Sequence, residues 1–197
     1  MESNQLLSQA WDILGDHPGT TWIFGQKNLA DRLEEARRLI IEALLKDPNY
    51  PKAHMYYGVY WQFMGDYSKA VDCHRKAIEL DVSYPSAYNN LGKTYGQLGD
   101  REAELKNYRL ALKYDEHFTY AQYNLGVALL AMGDVKGAIT ELERVTQQRH
   151  CPAMVHSQLG HAYRKAGFDL KAEVEFRIAL EISPEDEKTR KDSRSSP

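Results

Sequence analysis

Four side chains recur at a single register along the chain: Tyr56, Asn90, Asn124 and Gln158, each thirty-four residues from the next. All four donate and accept hydrogen bonds, and an asparagine amide can pair with both groups of an extended peptide backbone. The same face of the helical segments gathers Met55, Val59, Asn89, Tyr120, Tyr123 and Val127 beside them. A basic group of Lys93, His161, Arg164 and Lys165 lies towards one end of the row, suited to acidic side chains or a terminal carboxylate. This is the chemistry of recognition rather than of bond making. No GxSxG, HExxH, phosphate-loop or dinucleotide fingerprint occurs. The nearest approach to a metal cluster is His150, Cys151, His156 and His161, but Cys151 falls in a connection and the last two histidines sit on different faces of one helix. The expectation is a chain without catalysis, cofactor or metal.

The elements that must position these residues follow from the spacing of Tyr57-Gly58, Leu91-Gly92, Leu125-Gly126 and Leu159-Gly160, again thirty-four residues each. A fixed period of that size means stacked supersecondary units, none able to bury its apolar face alone. In the unit 51–84, apolar and small residues fall first at Tyr57, Gly58 and Trp61, then at Ala70, His74, Ala77 and Leu80. Both sets have the three-and-four spacing of an amphipathic helix. Gly65-Asp66 divides them, glycine suited to a left-handed helix end and aspartate to capping the next helix. Gly58, Ala70 and Ala77 leave little between the two backbones, so the pair can approach closely.

Numbered from Pro51, this pattern resembles the tetratricopeptide repeat, whose signature has large-apolar, Gly/Ala, aromatic, Ala, aromatic, Ala and Pro at positions 7, 8, 11, 20, 24, 27 and 32. The unit 85–118 places Leu91, Gly92, Tyr95, Glu104, Tyr108, Ala111 and Glu116 there; 119–152 places Leu125, Gly126, Leu129, Ala138, Leu142, Val145 and His150; 153–186 places Leu159, Gly160, Tyr163, Ala172, Phe176, Ala179 and Pro184. Glu104 departs from the signature, and its carboxylate is expected to snorkel outward, since unpaired carboxylates are rarely buried. The resemblance implies an all-α, right-handed superhelix of antiparallel helix pairs with a concave groove for a peptide. Asn90 and Asn124 match the backbone-reading asparagines of the family's peptide-binding members. A subtype that clamps the C-terminal carboxylate of chaperones is disfavoured, because Met55, Val59, Tyr120 and Asn124 stand where its basic and amide residues belong and only Asn90 agrees.

Carried backwards, the phase gives a degenerate first unit over 1–50, with Leu7, Ser8 and Trp11 on its first helix and Leu33, Ala36, Ile40 and Ala43 on its second. Residues 17–32 then read as an inserted loop, helical from Asn28 onward, bearing the apolar cluster Trp22-Ile23-Phe24. That cluster is expected to cap the first unit, with partner docking or self-occlusion as the alternative. After an N-cap signal at Ser183-Pro184 the chain becomes wholly polar, so a short frayed helix followed by disorder is expected, with 187–197 as the polar tail.

Around each first helix, positions 2, 5, 6, 9, 12 and 13 lie opposite the core and still carry Met55, Tyr56, Val59 and Phe63, then Tyr120, Tyr123, Val127 and Leu130. Outward positions of the second helices hold Lys69, Asp72, Arg75, Lys76, Glu102, Lys106, Arg109, Glu173 and Arg177, a solvated face. The first helices are therefore expected to line a groove for something less polar than water. A net charge of −3 argues against nucleic acid. The amino terminus has neither a basic leader nor a long apolar run, Cys73 and Cys151 show no metal or redox spacing, and the cytoplasm is the expected address. Together these features predict an adaptor, scaffold or chaperone-like protein that binds an extended or helical segment of another protein, away from membranes. Its binding residues are expected to be Met55, Tyr56, Val59, Asn89, Asn90, Lys93, Tyr120, Tyr123, Asn124, Val127, His161 and Arg164. The alternative is a self-assembling scaffold, a homo-oligomer built through the terminal repeat or the 17–32 insertion.

Overall fold

The computed structural model describes residues 2–14, 29–148 and 151–194. Among them are eleven helices and no strand: α1 (Glu2–Leu14), α2 (Leu29–Lys46), α3 (Pro51–Phe63), α4 (Tyr67–Leu80), α5 (Pro85–Leu98), α6 (Arg101–Tyr114), α7 (Thr119–Met132), α8 (Val135–Thr146), α9 (Ala153–Lys165), α10 (Asp169–Ile182) and α11 (Glu187–Arg194). The chain forms two compact units, Met1–Tyr114 and Asp115–Pro197. The first contains the pairs α1/α2, α3/α4 and α5/α6; the second contains α7/α8, α9/α10 and the single helix α11. None of the described helices is long and apolar enough to cross a membrane. The all-α architecture of antiparallel pairs is the one the period predicts.

The pairs α3/α4, α5/α6 and α7/α8 are each joined by a turn in which one aspartate serves two helices. Glycine takes the left-handed conformation, as at Gly99 (φ 80°) and Gly133 (φ 87°), and the next N–H returns to a carbonyl five residues back: Asp66 to Trp61, Asp100 to Tyr95 and Asp134 to Leu129, each at 3.0 Å. The same aspartates then accept from the backbone N–H of Lys69 (3.1 Å), Ala103 (3.0 Å) and Gly137 (2.9 Å), capping the helix that follows. In the last pair Phe168 occupies this place; its N–H returns to Tyr163 at 2.9 Å, but it brings no side-chain cap.

Within each of the four pairs from α3/α4 to α9/α10 a glycine on the first helix receives a large side chain from the second. A Cβ on Gly58 would lie 2.4 Å from the His74 ring, on Gly92 2.7 Å from Tyr108, on Gly126 2.8 Å from Leu142 and on Gly160 2.7 Å from Phe176. The absent methyl is thus what lets the two helices close on each other. In the first unit the core joins Leu7, Ala10, Ala36, Ile40 and Ala43 of the first pair to Ala53, Met55, Tyr56 and Val59 of α3, and extends to Ala77 and Ala87. In the second it gathers Leu142, Val145, Val155, Leu159, Tyr163 and Phe176. Cys73 and Cys151 are free thiols, each pushed up to about 11 by burial.

Three expectations meet the structure differently. Glu104 does not snorkel outward: it is 6% exposed, and its carboxylate pairs with Arg101 at 2.6 Å. The room comes from Gly96, whose missing Cβ would stand 2.6 Å from Glu104 Oε1. The inserted stretch 17–32 was expected to turn helical from Asn28 onward, and α2 begins at Leu29, while 17–28, including Trp22-Ile23-Phe24, lie outside the described residues. The short helix expected after Ser183-Pro184 is α11, and residues 195–197 lie outside the described residues. Thr189 is 1% exposed, its hydroxyl 2.9 Å from Ser157 Oγ, at the register where Ala53, Ala87, Ala121 and Val155 are buried. α11 therefore repeats the first helix of a further unit, and hydrogen bonding replaces the apolar burial that would have announced it.

Candidate functional site

In the first unit the face opposite the core of α3 is not open. Met55, Tyr56 and Val59 are at most 7% exposed, because α1 and α2 pack over them and Trp11 stacks on Tyr56 with ring centroids 4.9 Å apart. Burial pushes the Tyr56 hydroxyl up to about 12. These three were expected to line a groove; they stabilise the junction of the first two pairs instead. Asn89 on α5 is likewise buried.

Asn90 is half-buried, and its amide is engaged within the chain. Its Nδ2 donates to the Ser86 carbonyl at 2.9 Å and lies 3.4 Å from Met55 Sδ on the preceding pair. Its backbone carbonyl accepts from Gln62 Nε2 at 3.1 Å, and the same amide nitrogen donates to Thr94 Oγ1 at 2.6 Å. Asn90 thus sits in a polar clasp between α3 and α5. Lys93 remains reachable by solvent, yet the protein crowding its ammonium lowers its pKa, the mark of a cation in a recess.

In the second unit α7 presents a different picture. Tyr120 is 71% exposed, with Tyr123, Asn124 and Val127 half-buried one turn further along. Burial raises the Tyr123 hydroxyl pKa, and its ring packs against the core of α8, α9 and α10. A large exposed aromatic next to an amide and apolar side chains offers contact area and hydrogen bonding together.

The basic residues of α9 hold their own chain. His161 Nε2 lies 3.1 Å from Asp192 Oδ2 on α11, an ion pair whenever the imidazole is protonated. Arg164 donates to the Asp192 carbonyl at 2.6 Å and stacks over Phe176, 4.7 Å from the ring centre. Lys165 donates to the Leu130 carbonyl at 3.2 Å. The acidic group expected from a partner is supplied here by Asp192, which the sequence reading missed. The thirty-four-residue count, carried one helix further, places Asp192 in the row of Tyr56, Asn90, Asn124 and Gln158. Gln62 and Arg164 also share a register, and each donates to the carbonyl of the row residue on the next first helix.

Helix pairs repeated at one period, closed by glycine against a large side chain and most of them joined through a glycine–aspartate turn, define a helical-repeat interaction protein. The matching family is described as TPR repeat over residues 64–99 and tetratricopeptide repeat over residues 85–118, so this chain carries tetratricopeptide repeats over that stretch. No curated protein matches its sequence. Several solved structures are similar. A thermophilic protein of this family from Thermus thermophilus, TTC0263, has a TM-score of 0.74 at 17% identity, covering 97% of this chain and 96% of its own. PilF from Pseudomonas aeruginosa gives 0.78 at 17% identity, covering 95% of this chain and 79% of its own. YrrB, described as a TPR protein with an unusual peptide-binding site, gives 0.65 at 19% identity, covering 98% and 97%. At these identities the likeness is one of fold.

Proposed function

We propose that this protein is a non-catalytic interaction module, an adaptor or scaffold, that holds a peptide segment of a partner protein on the face of α7. The observation that carries the reading is Tyr120, 71% exposed and followed on the same face by Tyr123, Asn124 and Val127. An aromatic ring in water next to half-covered apolar groups gains from a partner that removes it from solvent. The fold supports this use, since first helices of such arrays carry binding surfaces, and a similar structure is described as having a peptide-binding site. Asn90 and Lys93 form a separate polar patch in the first unit, where Asn90 is partly spent on internal contacts. They are secondary candidates.

The test is selection of displayed random peptides on the full chain, followed by fluorescence-polarisation titration of the winners. Tyr120→Ala with Asn124→Ala is expected to weaken them at least tenfold while helical content and melting temperature stay unchanged. Peptides that bind the double variant as tightly as the parent would overturn the reading.

A further inference from the structure

The second helices carry an outward face that differs sharply in the last pair. At the three outward registers that become Leu170, Val174 and Ile178 on α10, α4 has Ser68, Asp72 and Lys76, α6 has Glu102, Lys106 and Leu110, and α8 has Lys136, Thr140 and Arg144. One apolar residue among nine becomes three out of three. Leu170 is 81% exposed and Val174 49%, and Ile182, four residues beyond Ile178, is 51% exposed. With the half-buried Ile178 these residues form a ridge of four-residue spacing along α10, exposed at Leu170, Val174 and Ile182.

We infer that this ridge is a two-fold docking seam for a second copy of the chain. The argument is the arrangement of charge around it. Lys171 and Glu181, both exposed, flank the ridge on opposite sides and at opposite ends. Lys171 is held there over the rings of Tyr163 and Phe168, 5.1 and 5.5 Å from their centres. An antiparallel copy related by a two-fold axis at the level of Phe176 sets Leu170 against Ile182 of the partner subunit and Val174 against the partner's Ile178. The same operation sets Lys171 against the partner's Glu181, and Glu181 against the partner's Lys171. Every apolar group meets an apolar group and both flanking charges meet their opposites, which is the self-complementarity a closed two-fold interface requires. Ridges of four-residue spacing interdigitate at about −50°. A seam built from one helix is below the size of a standard stable interface, about 1,600 Å² in total, so the dimer is concentration-dependent.

Sedimentation equilibrium of the full chain across a dilution series tests this. The variants borrow residues the array already carries at these registers, so they fold: Leu170→Ser, Val174→Asp and Ile178→Lys together. The parent is expected to show a reversible monomer–dimer equilibrium, and the triple variant to remain monomeric with unchanged circular dichroism. Lys171→Glu and Glu181→Lys should each weaken dimerisation at least tenfold, while the two together restore it. Zero-length carbodiimide cross-linking should join residue 171 to residue 181 only between copies, since ten helical residues separate them by about 15 Å within one chain. A parent that stays monomeric up to millimolar concentration overturns the inference, assigning the ridge to another occupant. So does a dimer that survives the triple variant, or a charge swap that restores nothing.

Discussion

Neither ring nitrogen of His74 has a hydrogen-bond partner among the described residues, and the side chain is fully buried against Gly58. Burial, with a smaller contribution from Lys93, lowers its pKa to about 3. The ring is therefore neutral in the fold at every ordinary pH, whereas in the unfolded chain it protonates near 6.5. Above that value the residue is indifferent to pH. Below it the unfolded state binds a proton the folded state refuses, so stability falls as pH falls, by about 2 kcal/mol at pH 5. His74→Phe repeats the arrangement of Phe176 over Gly160 and is expected to remove this acid sensitivity. Urea midpoints of parent and variant should separate more at pH 5 than at pH 7.5, and parallel pH profiles would show that His74 is not the cause. The same contact predicts that Gly92→Ala costs about 1–3 kcal/mol by overpacking against Tyr108, partly offset by alanine's better helix propensity.

At the level of the helix pair, Gly96 and Glu104 form one device: the bare backbone of α5 makes room for a carboxylate that Arg101 neutralises. Gly96→Ala should destabilise the parent but not the Glu104→Ala background, a coupling of about 1–2 kcal/mol in a double-mutant cycle by urea denaturation. Additive effects would mean the two positions do not share the space. The boundaries of α4 to α10 were legible in advance because glycine–aspartate turns and apolar spacing announce them. Glu104 was misread because its accommodation depends on Gly96 across the pair, a relation that spacing along one helix does not express. The docking of α11 was not legible for a related reason: EKTRKDSR has no apolar stripe, and its attachment runs through Thr189, Asp192, Ser157, His161 and Arg164. Ending the chain after Asp186 is expected to raise amide exchange in α9 and lower the melting temperature, since it uncovers Val155 and Ser157; unchanged exchange would show α11 to be a bystander. The candidate site was the least legible part. Met55, Tyr56 and Val59 share their registers with Tyr123, Asn124 and Val127, and only the presence of α1 and α2 over α3 separates the buried set from the more open one.

For the whole molecule, stability is expected to be distributed rather than concentrated, because within each unit a pair is buttressed by its neighbours in sequence. All three tryptophans, Trp11, Trp22 and Trp61, fall within Met1–Tyr114, so their fluorescence reports that unit, while far-ultraviolet circular dichroism reports every helix. The two signals should give non-coincident urea transitions; superimposable curves would indicate a single cooperative block. The repeat period was the feature most readable from the chain, since it needs only local glycines in step, whereas the division into two units depends on contacts no period encodes. Those glycines carry one more consequence. Gly65, Gly99, Gly133 and Gly167 have φ between 74° and 87°, and a Cβ at any of them would meet nothing within 4 Å. The turns exclude a side chain by chirality and not by size. A mirror-image alanine, introduced by chemical ligation, takes that φ without strain and narrows the unfolded ensemble. Each D-alanine should therefore raise the melting temperature where the natural L-alanine would lower it.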